Sequence, residues 1–96
     1  MKFNYDTETD SLSIRLSEGS YSESEEVAYD IIFDFDHDGA LTGIEILDVE
    51  HNATPSKLQI ALQNLPEELT LEEKRLVKLT FDQIMAGKHK QLDPII

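Results

Sequence analysis

Cysteine and tryptophan are absent from this chain of 96 residues, and basic residues are scarce. Without cysteine the protein can form no disulfide, no zinc–thiolate site and no thiol nucleophile. Only 8 Lys and Arg residues stand against 20 Asp and Glu residues, which gives a formal net charge of −12. Because nucleic acids and anionic membranes are bound mainly through Lys and Arg, neither is expected as a partner.

Long apolar runs are also missing. A membrane-spanning helix needs about 18 or more consecutive apolar residues, and the segment from Met1 to Asp6 lacks the apolar centre of a secretory signal. We therefore expect a soluble cytoplasmic protein. A chain of this length has room for one modest core, so we predict a single domain over residues 1–96. It divides into an acidic β-sheet half, 1–52, and a helical hairpin half, 53–96.

The acidic charge lies almost entirely in the first half. Residues 1–52 contain 14 Asp and Glu residues and, as bases, only Lys2 and Arg15, whereas residues 53–96 contain 6 acids and 6 bases. Such a one-sided charge suits either a solubilising surface or a surface that meets a basic partner. Both interpretations stay open from the sequence alone.

Apolar and polar residues alternate through the first half, which is the pattern of half-buried strands. The alternation predicts strands around residues 3–5, 12–16, 27–35 and 41–49. The polar stretch between Leu16 and Glu25 is predicted as a loop. Strands that follow one another this closely are most simply arranged as an antiparallel meander.

The second half changes to helical spacing. Thr54 followed by Pro55 predicts a helix start, and Thr70 with Glu73 forms a capping box before a second helix. Gly87 is expected to end that helix. Its apolar stripe consists of Val77, Phe81, Ile84 and Met85. The predicted fold class is α+β: a four-stranded antiparallel meander sheet followed by two helices packed on one face.

The segment Asp34–Glu45 matches the spacing of an EF-hand calcium loop. The metal ligands of this alternative would be Asp34, Asp36, Asp38 and Glu45. The helices that should flank such a loop are not indicated, because the sequence on its N-terminal side has the two-residue period of a strand. We therefore favour a β-hairpin, predict calcium binding weaker than millimolar, and keep a loose cation site as the alternative function.

The cross-strand pairs that follow from the length of the loop support the hairpin. With Asp38-Gly39 as a two-residue type I′ turn, Phe33 lies opposite Ile44. In the same register Phe35 faces Thr42 and Ile31 faces Ile46. A loop of three residues would instead set Phe33 against Gly43 and Ile31 against Glu45, so an even loop length is predicted.

Patterns of known catalytic sites are missing. There is no nucleophile elbow and no glycine-rich phosphate loop, and His37, His51 and His89 do not have metal-ligand spacing. We predict a protein that is not an enzyme and that needs no cofactor.

Two groups of residues make up the predicted interaction surface. Ile32, Leu41, Leu47 and Val49 should lie on the sheet face away from the helices, where a second copy could cover them. The acidic group comprises Glu25, Glu26 and Asp30. We therefore expect a non-catalytic protein-interaction module, a homodimer, that also binds a basic protein partner.

The first half resembles a short prokaryotic family, the domain-of-unknown-function family 2283, over about residues 3–50. The most specific part of the likeness is Gly43-Ile44-Glu45-Ile46-Leu47-Asp48. The other matching residues are Tyr5-Asp6, Asp10, Leu12, Ile14-Arg15-Leu16-Ser17, Glu25-Glu26-Val27, Asp34, Asp36 and Gly39. Ser13 stands where the family has a bulkier residue, and the helical half lies outside the shared pattern. The resemblance implies a compact β-rich domain and, through members that look like companions of small toxin-like proteins, an antitoxin-like role.

Overall fold

The computed structural model of the protein describes residues 1–89, so residues 90–96 of the predicted domain lie outside the described part. Five strands form one sheet, and three helices follow them. The strands are β1 (Lys2–Asp6), β2 (Ser11–Arg15), β3 (Tyr21–Ala28), β4 (Ile31–Asp36) and β5 (Leu41–Ile46). The helices are α1 (Val49–Asn52), α2 (Pro55–Gln63) and α3 (Leu71–Met85). The predicted α+β class is confirmed.

The predicted number of strands is wrong, because the segment 27–35 is not one strand. The chain reverses at Tyr29 and Asp30, so that Ala28 of β3 pairs with Ile31 of β4. Asp30 has a φ of 61°, a left-handed conformation that aspartate tolerates better than most residues. The polar stretch predicted as a loop supplies the first half of β3, which pairs with the apolar β4 although its own sequence lacks apolar alternation.

The sheet order is β1-β2-β5-β4-β3, with antiparallel neighbours throughout. This order corrects the predicted meander, because β2 pairs with β5 rather than with the strand that follows it in the chain. The connection from β2 to β3 therefore crosses from the middle of the sheet to its far edge. As a result β5, the most buried strand, lies at the centre, and β3 is an edge strand.

The hairpin between β4 and β5 has two of the predicted pairs, Phe33 with Ile44 and Ile31 with Ile46, but the predicted pair of Phe35 with Thr42 and the predicted turn are wrong. The N–H of Gly39 bonds to the carbonyl of Asp36 at 3.1 Å, and Gly39 has a φ of 80°. The loop is therefore a three-residue type I turn with glycine in the left-handed position. Thr42 is an extra residue that shifts the register by one, so Phe33 still pairs with Ile44 although Phe35 pairs with Leu41.

Both helix starts of the second half are confirmed. The Thr54 side chain accepts a hydrogen bond from the N–H of Lys57, and Thr70 and Glu73 form the reciprocal capping box. One hydrophobic core joins the sheet to the helices; its helical members are Val49, Leu58, Ala61, Val77, Phe81 and Ile84. Met85, predicted in the buried stripe, is 43% exposed.

Two residues of the predicted apolar interaction surface lie in this core instead. Leu41 and Val49 are 5% and 2% exposed. The extra residue at Thr42 reverses the alternation, so that Leu41 joins Phe35 on the core side. Val49 begins α1 after Asp48, whose left-handed φ of 49° turns the chain inward. Of the four apolar residues predicted to form the dimer contact, only Ile32 and Leu47 are outside the core, and both are half-buried. The homodimer stays a prediction.

No helix within residues 1–89 is long and apolar enough to cross a membrane.

Candidate interaction surface

The two faces of the sheet have opposite character. The covered face packs into the core through residues such as Ile14, Ile44 and Phe33, which pair across β2, β5 and β4. The open face carries the residues between them in each strand, because side chains alternate along a strand. These include Ser13, Arg15, Ser24, Glu26, Ile32, Asp34, Gly43 and Glu45.

A pair of carboxyl groups occupies the centre of the open face. Asp34 pairs with Gly43, and Glu45 pairs with Ile32, so the two acids are diagonal neighbours on adjacent strands. A hydrogen bond with Asp34, reinforced by burial and by the Asp34 charge, raises the pKa of Glu45 to about 7, although Arg15 acts in the opposite direction. The predicted diagonal relation of these acids is confirmed, and the Glu45 carboxyl retains its proton to a higher pH than an ordinary glutamate.

This pair lines a shallow cavity of about 210 Å³ together with Ser13, Arg15 and Gly43. The floor is the backbone at Gly43, where an added Cβ would lie 3.2 Å from the carbonyl oxygen of Ile14. On the β3 side, the hydroxyl of Ser24 donates to Asp34 at 2.6 Å. Neither Ser13 nor Ser24 was predicted for the site, since isolated serines on polar strands carry no distinguishing pattern.

The other two acids of the calcium-loop motif lie at the turn and do not join the pair of Asp34 and Glu45. An oxygen of the Asp36 carboxylate accepts hydrogen bonds from the N–H groups of Asp38 and Ala40 at 2.9 and 3.0 Å. Asp36 thereby stabilises the turn, and Asp38 is exposed at its tip. Asp34–Glu45 is a β-hairpin, as predicted. Within residues 1–89 no group of three or more His, Asp or Glu residues is arranged to hold a metal ion.

The strongest concentration of negative charge lies on the hairpin of β3 and β4, which we call the acidic hairpin (residues 21–36). It contains 6 acids and neither Lys nor Arg. Glu23, Glu25 and Glu26 are exposed on β3, and none of them forms an ion pair with another described residue. The predicted acidic surface residues Glu25 and Glu26 therefore lie together on one edge of the sheet.

Asp30, the third predicted acidic residue, faces inward at the turn of this hairpin. Its carboxylate accepts a hydrogen bond from the side-chain amide of Asn52 at 3.0 Å, and the same amide nitrogen donates to the carbonyl of Leu47. The amide oxygen of Asn52 accepts from the Lys57 ammonium at 2.6 Å. This buried asparagine fixes the acidic hairpin to α1 and α2, and sequence pattern alone does not single it out.

A second polar group lies at the opposite edge of the sheet. The hydroxyl of Tyr5 donates to Asp10, and this bond, with burial and nearby acids, raises the pKa of Tyr5 to about 12. The other Asp10 oxygen accepts from the N–H of Glu50 at 2.8 Å. The His89 ring lies edge-on to Tyr5, with centroids 4.8 Å apart. Because Asp10 binds the first turn of α1, this group of residues stabilises the fold.

The three histidines belong to different parts of the chain: a turn, α1 and the segment after α3. His37 is exposed in the turn between β4 and β5, and His89 follows α3. His51 lies in α1, where a 2.9 Å contact between its Nδ1 and the Asp48 carboxylate raises its pKa above the ordinary value. An exposed pair of this kind contributes little to stability.

The family model described as "Protein of unknown function (DUF2283)" matches residues 2–49, half of the chain. The chain belongs to this family. The predicted resemblance is confirmed, and the matched region contains all five strands while α2 and α3 lie beyond it. No curated protein and no solved structure matched the chain.

Proposed function

We propose that this protein is a non-catalytic interaction module whose acidic hairpin binds a basic protein. The observation that carries the proposal is the exposed, unpaired charge of Glu23, Glu25 and Glu26 on one edge strand. Charges left without an ion pair in the isolated protein are available for a partner. Complementary charges speed association and exclude partners of the wrong sign.

The neighbouring open face extends this charge. Glu45 and Asp34 adjoin β3 through the bond between Ser24 and Asp34. Because Glu45 has its pKa near neutrality, the open face is more negative at pH 8 than at pH 6. A basic partner that covers the open face should therefore bind more tightly at the higher pH, whereas a partner confined to β3 should show little pH dependence.

The antitoxin-like role implied by the family resemblance fits this surface. A small basic protein that binds RNA would present the Lys and Arg residues that recognise phosphate. An acidic protein that covers those residues would block its activity by charge complementarity. This role remains a proposal about the class of partner.

Affinity capture tests the proposal. The protein is immobilised and exposed to native lysate at low salt, alongside the double variant Glu23→Gln, Glu25→Gln. The control is Glu8→Gln, Glu67→Gln, two exposed acids outside the acidic hairpin, with the same change in net charge. We expect the wild type and the control to retain a basic protein that the test variant loses and that salt elutes. Equal retention by all three, or no basic protein retained, would contradict the proposal.

A further inference from the structure

The outer edge of β3 is open. β3 ends the sheet order, and Tyr21 to Glu26 are all exposed. Among the described residues, the backbone of β3 forms no backbone hydrogen bond beyond its pairing with β4, and the N–H of Asp30 bonds to the Glu26 side chain rather than to the strand backbone. An edge strand of this kind presents a row of free N–H and C=O groups that another strand can pair with.

The middle of β3 is regular enough to serve as a template. Its register with β4 is irregular between Tyr21 and Glu23 and between Glu26 and Ala28, but continuous from Glu23 to Glu26. β3 contains no proline, the residue that most directly blocks strand pairing. Three of the eight residues of β3 are glutamates, and their charge is what disfavours unspecific strand pairing at this edge.

The same charge determines which kind of strand can pair with the β3 edge. A second copy of β3 would bring its own glutamates against these three, and like charges on adjacent strands destabilise pairing. A strand with Lys or Arg residues would instead pair with them. Glu23 and Glu25 lie opposite Phe35 and Phe33, while Glu26 lies opposite Ile32, so acidic side chains flank the edge on both faces.

The other edge of the sheet differs. β1 contains one base and one acid, Lys2 and Asp6, and Lys2 forms an ion pair with Glu18 at 3.3 Å. The charge bias is therefore a property of the β3 edge. Tyr21 and Tyr29, which are 61% and 69% exposed, lie at the two ends of β3 and offer ring faces to a cation. The Lys57 ammonium already lies 5.2 Å from the centre of the Tyr29 ring.

We propose that the β3 edge binds an extended basic segment of the partner protein as a sixth strand of the sheet. Backbone hydrogen bonds would provide affinity, and the glutamates would select Lys and Arg side chains. This inference rests on the proposed function, because it specifies how the same acidic hairpin holds its basic partner.

The test uses a synthetic peptide as long as β3 in which Lys and Thr alternate, and a copy of it with every backbone nitrogen methylated. Methylation keeps the charge but removes the N–H groups that strand pairing needs. We expect the methylated copy to bind about tenfold more weakly at low salt. We also expect the unmethylated peptide to slow hydrogen exchange at amides of β3 but not of β1.

Four outcomes would contradict strand addition. Equal binding of both peptides, or protection outside β3, would show that charge alone recognises the partner, and the proposed function would stand. Protection of β3 that rises with protein concentration in the absence of peptide would show that a second copy occupies the edge. If neither peptide binds to the wild type at low salt, the charge complementarity of the proposed function fails as well.

Discussion

The two faces of one sheet are built from the same strands and experience opposite conditions. On the covered face, Phe33 and Ile44 are neighbours with at most 1% exposure, and apolar area leaves water when they pack. On the open face, the adjacent Asp34 and Glu45 are only half-buried, and the hydrogen bond with Asp34 raises the pKa of Glu45 to about 7. The comparison shows that the covered face supplies stability, whereas the exposed acids of β3 and of the open face bury little surface.

Removing a large side chain from the covered face should have the greatest effect. Phe33→Ala leaves a cavity in the core, and we expect the free energy of unfolding to fall by about 4 kcal/mol. The corresponding change on the open face, Ile32→Ala, should lower the free energy of unfolding by only about 1 kcal/mol, because Ile32 is half-buried. Urea unfolding of both variants measures the contrast. Similar losses would mean that a partner or a second copy also covers the open face.

The next largest effect should come from Asn52, which ties the acidic hairpin to the helices. Asn52→Ala removes the partner of the Asp30 carboxylate and of the Lys57 ammonium. We expect a loss of about 2 kcal/mol, since buried polar groups are left without hydrogen bonds. Asn64→Ala, which removes an exposed side-chain bond to a helix carbonyl, is the control. An unfolding midpoint unchanged in both variants would contradict the role given to Asn52.

The open face should make stability depend on pH. The folded-state pKa of Glu45, about 7, lies above its unfolded value. Its proton therefore stabilises the fold fully below the unfolded pKa, and that contribution is lost as the pH rises through about 7. Glu45→Gln keeps a donor for Asp34, so we expect about 1 kcal/mol of added stability at pH 8, after allowance for solvent screening, and none at pH 5. Urea unfolding at both pH values measures this difference, with Glu67→Gln as the control. A gain of equal size at both pH values would argue against the raised pKa of Glu45.

The smallest effect is expected from calcium. Asp36 is engaged by two backbone N–H groups, and Asp34 accepts from Ser24, so these acids do not converge as in an EF-hand. We expect calorimetric titration of chelator-treated protein to show binding weaker than millimolar. A single site of micromolar affinity that Glu45→Gln abolishes would overturn this prediction.

Features that depend only on neighbouring residues could be predicted from the sequence. Alternation identified β1, β2 and the Phe33–Ile44 pairing, and the caps at Thr54 and Thr70 fixed where α2 and α3 begin. The acidic bias and the diagonal relation of Asp34 to Glu45 also follow from residue order, because a strand has a period of two.

Features that depend on residues distant in the chain could not be predicted in this way. β3 has too little apolar pattern to be recognised as a strand, and it forms because β4 offers a ladder to pair with. The extra residue at Thr42 is held by a contact from outside the hairpin: its carbonyl accepts the N–H of Leu16 at 2.8 Å. That bulge sends Leu41 into the core, and the insertion of β5 beside β2 leaves β3 at the edge. Register and strand order reflect the burial of the whole covered face, a quantity that no local segment contains.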